Sequence, residues 1–298
     1  MELLAERRWV TDGGLETDLI FHHGVDLPEF AAFPLVEDEG GRALLTDYYE
    51  AYAAIAARAG AGLLLESPTW RANPDWGARL GYDAADLDRV NRAAVALMHE
   101  RREAHPELEV LVGGIVGPRG DGYVAGDRLD PAAYAEHHRP QLASVRAADA
   151  DLATALTLTG ADEAMGIVAA ARDVGIPVAI GFTVETDGRL PDGTALAQAV
   201  ATVDAAGGPD WYLVNCAHPS HVAPALEGDG PWHRVAGLRP NASRASHAEL
   251  DQAEELDDGD PEQLSRDCQD LAGRLPGLRV LGGCCGTDAR HVAALWGV

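Results

Sequence analysis

Leu278-Arg279-Val280-Leu281-Gly282-Gly283-Cys284-Cys285-Gly286-Thr287 is an apolar run that stops at two glycines and hands two adjacent cysteines to a loop. A short apolar run closed by glycine reads as a buried strand with its exit turn. A second run of this kind, Asp210-Trp211-Tyr212-Leu213-Val214-Asn215, ends at Cys216. Further strand-like runs begin at Trp9 and cover 61–65, 110–116, 151–159, 177–183 and 235–238. Helical patterns fall at 41–58, 86–101, 131–148, 162–174, after Asp192-Gly193-Thr194, and at 219–226, 261–275 and 289–295. Eight strands alternating with helices, at a spacing of roughly 30 residues, predict an α/β fold, a closed (β/α)8 TIM barrel rather than an open doubly wound sheet. No linker or shift in composition divides the chain, so residues 1–298 read as one barrel domain.

Composition narrows the partners. Acidic residues outnumber basic ones 48 to 23, a net charge of -25, and every basic residue is arginine. Nucleic acids and anionic membranes both require positive patches, so neither is expected as a partner. No apolar run approaches the roughly 18 residues that span a bilayer. The charged start, residues 1–8, lacks the apolar core of a signal peptide. Four cysteines in 298 residues are too few for a disulfide scaffold, and the expected setting is a reducing cytoplasm. The sequence carries no signal of oligomeric state.

In barrels of this class the chemistry sits at the C-terminal ends of the strands. Asp12, Glu66, Asn215, Cys216, Cys284 and Cys285 all fall at such ends. Cys216 closes the sixth strand and the cysteine pair closes the eighth, so only the seventh lies between them and the three thiols can converge on one ion. Three thiolates with an open fourth position make a catalytic-type zinc site, and sulfur-rich ligation favours zinc over magnesium or calcium. A free thiol has a pKa of about 8.5, so a thiol held on zinc would be a ready nucleophile.

The remaining candidates divide as follows. Asp12-Gly13-Gly14-Leu15-Glu16-Thr17 is either an ordinary turn or one that lets a ligand approach the main chain. His218, His22, His23 and His221 are possible fourth ligands but read as loop or surface histidines. Cys268 reads as a buried small hydrophobe, and the His137-His138 pair as a solvated helix face. A water-activating zinc hydrolase would use His and Asp ligands, which a three-thiolate set does not match.

Asp12-Gly13-Gly14-Leu15-Glu16-Thr17, Val112-Gly113-Gly114-Ile115-Val116-Gly117-Pro118, Asp192-Gly193-Thr194, Val214-Asn215-Cys216 and Gly282-Gly283-Cys284-Cys285-Gly286-Thr287 together resemble the homocysteine S-methyltransferase family, in the right order over nearly the whole chain. The resemblance implies a (β/α)8 barrel with zinc on Cys216, Cys284 and Cys285. It implies methyl transfer from a small sulfonium or ammonium donor, of the S-methylmethionine, S-adenosylmethionine or betaine type, to a zinc-bound thiol. The usual acceptor is homocysteine, giving methionine. Asp12, with the Gly13-Gly14 backbone, is then expected to recognise the acceptor, with Glu66 beside it. Trp70 and Glu66 would attract a cationic donor, and Asn215 would support the Cys216 loop.

The chain departs from the family at one informative place. Strand four reads Ala155-Leu156-Thr157-Leu158-Thr159, with Leu156 where the family's glutamate holds the amino group of homocysteine. A different thiol or selenol acceptor, or a barrel that binds zinc and thiols without transfer, are the alternatives this opens.

Overall fold

The computed structural model describes residues 2–4, 7–126 and 128–298. In chain order its elements are β1 (Trp9–Val10), α1 (Leu15–Phe21), α2 (Glu39–Ala59), β2 (Gly62–Ser67), α3 (Pro74–Arg79), α4 (Ala84–Ala104), β3 (Val110–Val116), α5 (Pro131–Ala147), β4 (Leu152–Leu158), α6 (Ala161–Val174), β5 (Val178–Phe182), α7 (Leu196–Ala205), β6 (Trp211–Asn215), α8 (Pro219–Ala225), β7 (Val235–Arg239), α9 (His247–Leu250), α10 (Pro261–Ala272), β8 (Val280–Leu281) and α11 (Ala289–Trp296). The eight strands pair in parallel, each with its sequence neighbour, and β1 pairs with β8 to close the barrel. The fold is therefore the α/β TIM barrel expected from the alternation.

The strands read as continuous apolar runs because both of their faces are covered. Leu64, Ile115, Leu152, Ala179, Trp211, Leu213, Ala236 and Val280 point into the barrel, where Trp9 and Leu4 pack with them. The alternate residues, such as Leu63, Leu65, Val112, Ala153, Ile180 and Val214, face the surrounding helices. Helix starts are set by short acidic or amide side chains: Asp38, Asn73, Asp83, Asp130, Asp260 and Asp288 each accept a backbone N–H of the first turn. None of the helices among the described residues is long and apolar enough to cross a membrane.

Four local expectations are corrected. Glu66 and Ser67 are the last residues of β2 rather than part of the loop. Asp192-Gly193-Thr194 forms a turn, with Gly193 at φ +83 and the Thr194 N–H donating to Asp192 Oδ1, so α7 starts later, at Leu196. The short helices α3 and α9, too brief for periodicity to reveal, were not expected. His137 and His138 are not on a solvated face. The His138 ring is fully buried and meets Glu163 Oε1 at 2.7 Å, and burial lowers His137 to a pKa of about 4.

Where α5 rests on β3 there is no space for a side chain. A Cβ at Gly114 would lie 2.4 Å from Val145 Cγ1. Gly114→Ala should push α5 outward and destabilise the barrel by about 1–3 kcal/mol. The expected readout is a lower denaturant midpoint at an unchanged slope.

Candidate active site and metal centre

The three cysteines meet at the C-terminal mouth of the barrel. Cys216 follows β6 in the left-handed region, at φ +57, a rare conformation for a residue with a side chain. Its carbonyl oxygen accepts from Thr183 Oγ1 at 3.0 Å and lies 2.7 Å from His247 Nε2. Cys284 and Cys285 are held from three sides. Cys284 N donates to Pro240 O, Cys285 O accepts from Ala242 N, and Gly286 N donates to Thr17 Oγ1. The glycines are explained by this loop. A Cβ at Gly14 would lie 2.5 Å from Cys284 O, and one at Gly283 2.0 Å from Thr287 Oγ1. The close approach that Gly13-Gly14 permits is thus that of the cysteine loop's own backbone. Both glycines also line the cavity described below.

The three Sγ atoms lie within 4.8 Å of one another, and Cys216 Sγ is 3.6 Å from Cys285 Sγ. Tetrahedral ligation at a metal–sulfur distance of about 2.3 Å places sulfurs about 3.8 Å apart, so the spacing fits one ion. The donor set points the same way. Cys284 is held well below the usual thiol range, first by hydrogen bonds from Cys216 and Cys285, whereas the contact with Cys284 pushes Cys216 well above it. Three thiolates packed this closely would repel one another, and a divalent cation among them would relieve that repulsion.

Asn215 stands behind the cluster. Its Oδ1 accepts from Thr157 N at 2.9 Å, and its Nδ2 donates to Thr157 Oγ1 at 2.8 Å and approaches Cys284 Sγ at 4.0 Å. Sequence reasoning missed Tyr123. It arrives on the loop after β3, with its hydroxyl 3.4 Å from both Cys216 Sγ and Cys285 Sγ. Its ring stacks on His247 at 4.3 Å and 6°. Glu163 Oε1, which engages His138, also accepts from Arg119 N, so the buried histidine helps pin this loop.

Arg239, the last residue of β7, was also missed. It is buried, and its guanidinium bridges Glu66 through Nη1 and Asp12 Oδ1 through Nη2, the latter at 2.5 Å. Its Nε donates to Gly283 O at 2.9 Å, directly ahead of the cysteine pair. Burial raises both carboxyls against the pull of Arg239. Burial alone would lower Arg239, but Asp12 and Glu66 outweigh it and hold the guanidinium protonated. Its signal in the sequence was an arginine directly after an apolar run, a pattern shared by many solvated arginines.

A cavity of about 470 Å³ opens over the thiols. Asp12, Gly13, Gly14, Trp70 and the three cysteines line it, while Glu66 and Asn215 do not. Glu66 is engaged by Arg239 and Thr11 beneath the wall, so the structure does not bring it to a ligand. One face of Trp70 carries the Arg71 guanidinium, 4.1 Å from the ring centroid, rather than lying open to a cation. The histidines are elsewhere. His218 caps α8 by accepting from Ser220 N, His221 meets Arg244 O, and His22 and His23 lie against Asp18. His218 and His221 are buried rather than on the surface.

Comparison with known proteins identifies relatives of this chain. Residues 9–297 match the sequence profile of a family described as homocysteine S-methyltransferase. The chain is 30% identical to the Escherichia coli homocysteine S-methyltransferase, over 95% of this chain and 93% of that protein. Its fold is similar to the metallated crystal form of the homocysteine methyltransferase MmuM from E. coli, with a TM-score of 0.76, 25% identity, and coverage of 99% and 98% of the two chains. The oxidized form of the same protein gives a TM-score of 0.77 at 23% identity, covering 98% and 96%.

Removing one partner from a buried charge network strands the others. Arg239→Met should destabilise the protein by about 3–5 kcal/mol, whereas Arg239→Lys should keep part of this because one ion pair survives. Chemical denaturation of the two variants measures the difference.

Proposed function

Because the chain belongs to the homocysteine S-methyltransferase family, we propose that it transfers a methyl group from a small sulfonium or ammonium donor to a thiol held on zinc by Cys216, Cys284 and Cys285. Homocysteine, giving methionine, is the first candidate acceptor. The observation that carries this reading is the convergence of three sulfurs, spaced for one tetrahedral ion, on the floor of a cavity of small-molecule size. Zinc bound there would hold the acceptor sulfur as a thiolate at neutral pH.

The chain's own residues supply position and surroundings. The hydrogen bonds to Cys216 O, Cys284 N and Cys285 O fix where the sulfurs point. Asp12, facing the cavity from the β1 end, is the candidate for the acceptor's amino group. The buried walls, with Leu156 and Ile115 among them, restrict water around the reacting atoms. In-line displacement needs donor carbon and acceptor sulfur at contact distance, and most of the rate gain comes from that placement. A second reading, an acceptor other than homocysteine, is favoured by one feature. Leu156 gives the β4 wall an apolar side chain and no carboxylate.

The direct test supplies zinc-loaded protein with homocysteine and S-methylmethionine, then with a panel of other thiols, and follows methylated product by mass spectrometry. Transfer to homocysteine supports the first reading, and transfer to another thiol alone supports the second. Full zinc occupancy with no transfer to any thiol refutes the enzyme assignment. Each of Cys216→Ser, Cys284→Ser and Cys285→Ser should bind less than one zinc per chain and lose activity by at least about 100-fold, as expected when a ligand of the catalytic ion is removed. Zinc affinity should fall as pH falls, because protons compete for three thiols that must ionise to ligate. Competition with a chromogenic chelator across pH measures this slope.

A further inference from the structure

Of the carboxylates that line the cavity, Asp121, Asp251, Glu255 and Asp257 are exposed at its rim, and of the more sheltered ones only Glu16 has no ion pair with a described residue. Asp12 and Glu66 share Arg239. Nearer the rim, Glu29 pairs with Arg79 at 3.0 Å and Asp257 accepts from Ser243. Glu16 lies in the first turn of α1 and lines the same cavity as Asp12, Cys284, Cys285 and Leu156. Among the described residues no salt bridge includes Glu16, and no other side chain hydrogen-bonds to its carboxylate. Burial raises its pKa to about 7, its own backbone amide offsets part of that, the neighbouring charges of Cys284 and Asp12 raise it further, and the charge of Arg239 lowers it.

A half-buried carboxylate crowded by other anions is unfavourable unless a cation completes it. Arg71 lines the same cavity, but its guanidinium is stacked on Trp70 and Trp76, and neither it nor Arg239 forms an ion pair with Glu16, so a cation in contact with this carboxylate would be one that enters the cavity. Its position selects which ligand. Glu16 and Asp12 flank the Gly13-Gly14 turn, whose backbone packs on the cysteine loop through Gly14 N to Thr287 O at 2.9 Å. Both carboxylates therefore reach the cavity from the side of Cys284, where an acceptor's sulfur would sit. The β4 wall, where Leu156 and Thr157 line the cavity, offers no competing carboxylate.

We propose that Glu16, together with Asp12, binds the ammonium group of the acceptor and makes this protein selective for aminothiols. The assignment rests on the transfer reading for the presence of an acceptor thiol at the cysteines. Glu16 is a specificity residue here: it touches the acceptor's amino group and takes no part in the exchange of the methyl group.

The test is calorimetric binding of homocysteine and of 4-mercaptobutanoate, its analogue without the amino group, to zinc-loaded wild type, Glu16→Gln and Glu16→Asp. Wild type should prefer homocysteine by at least tenfold. Glu16→Gln, similar in size but uncharged, should reduce that ratio at least fivefold with zinc still at one ion per chain, and Glu16→Asp should keep an intermediate ratio. Equal affinities in wild type, or an undiminished ratio in Glu16→Gln, overturn the assignment and leave the transfer reading standing. Loss of zinc in Glu16→Gln marks a structural role and overturns it too. Weakened binding of S-methylmethionine with the thiol ratio intact assigns Glu16 to the donor and overturns it. Wild type that binds neither thiol overturns both readings.

Discussion

One buried guanidinium ties the mouth of this barrel together. Arg239 joins Asp12 after β1 to Glu66 at the end of β2, and its Nε reaches Gly283 O in the loop that follows β8. A charge this deep is tolerated only when it is paired and its donors are satisfied, and two carboxylates and a carbonyl do both. The network thereby converts electrostatics into geometry. It sets where the cysteine loop leaves the sheet, and so where Cys284 and Cys285 lie relative to Cys216. The carboxylate left outside the network, Glu16, stands out because its neighbours are so fully engaged.

The thiol cluster also depends on backbone conformations that no local preference would select. Cys216 has φ +57 and Thr157, which is β-branched, has φ +64. Such residues cost about 1–3 kcal/mol each and persist where their surroundings over-determine them. Here Asn215 does so for Thr157, holding both its amide and its hydroxyl. Asn215 itself has room because residue 181 is glycine: a Cβ there would lie 2.6 Å from Asn215 Oδ1. A bulge in β4 between Ala155 and Leu158 falls in the same region. Strain, glycine and amide form one device that turns the strand ends toward the barrel axis.

Much of this was legible in the sequence. The buried strands announce themselves as apolar runs because both faces are covered, and cysteine is rare enough here that three at strand ends stand out. The barrel's closure then brings Cys216 to the later pair without any further signal. Arg239 was not legible, since its partners Asp12 and Glu66 lie 227 and 173 residues away and an arginine after a strand ordinarily reads as solvated. Tyr123 sits in a polar loop with no periodicity, and its value comes only from where that loop folds. His137 and His138 misled because adjacent helical positions point apart. Yet α5 lies between neighbours on two sides, and both rings are buried.

The separation of tasks around the mouth has an evolutionary consequence. The sulfurs come from the ends of β6 and β8, while Glu16 and Leu156, which line the cavity beside them, come from α1 and β4. A codon change at either of these wall positions alters the shape or charge of the cavity without touching a sulfur or the guanidinium that places it. Altered cavities on this scaffold are therefore single-step neighbours of the present one, reached through intermediates that keep the thiol cluster intact.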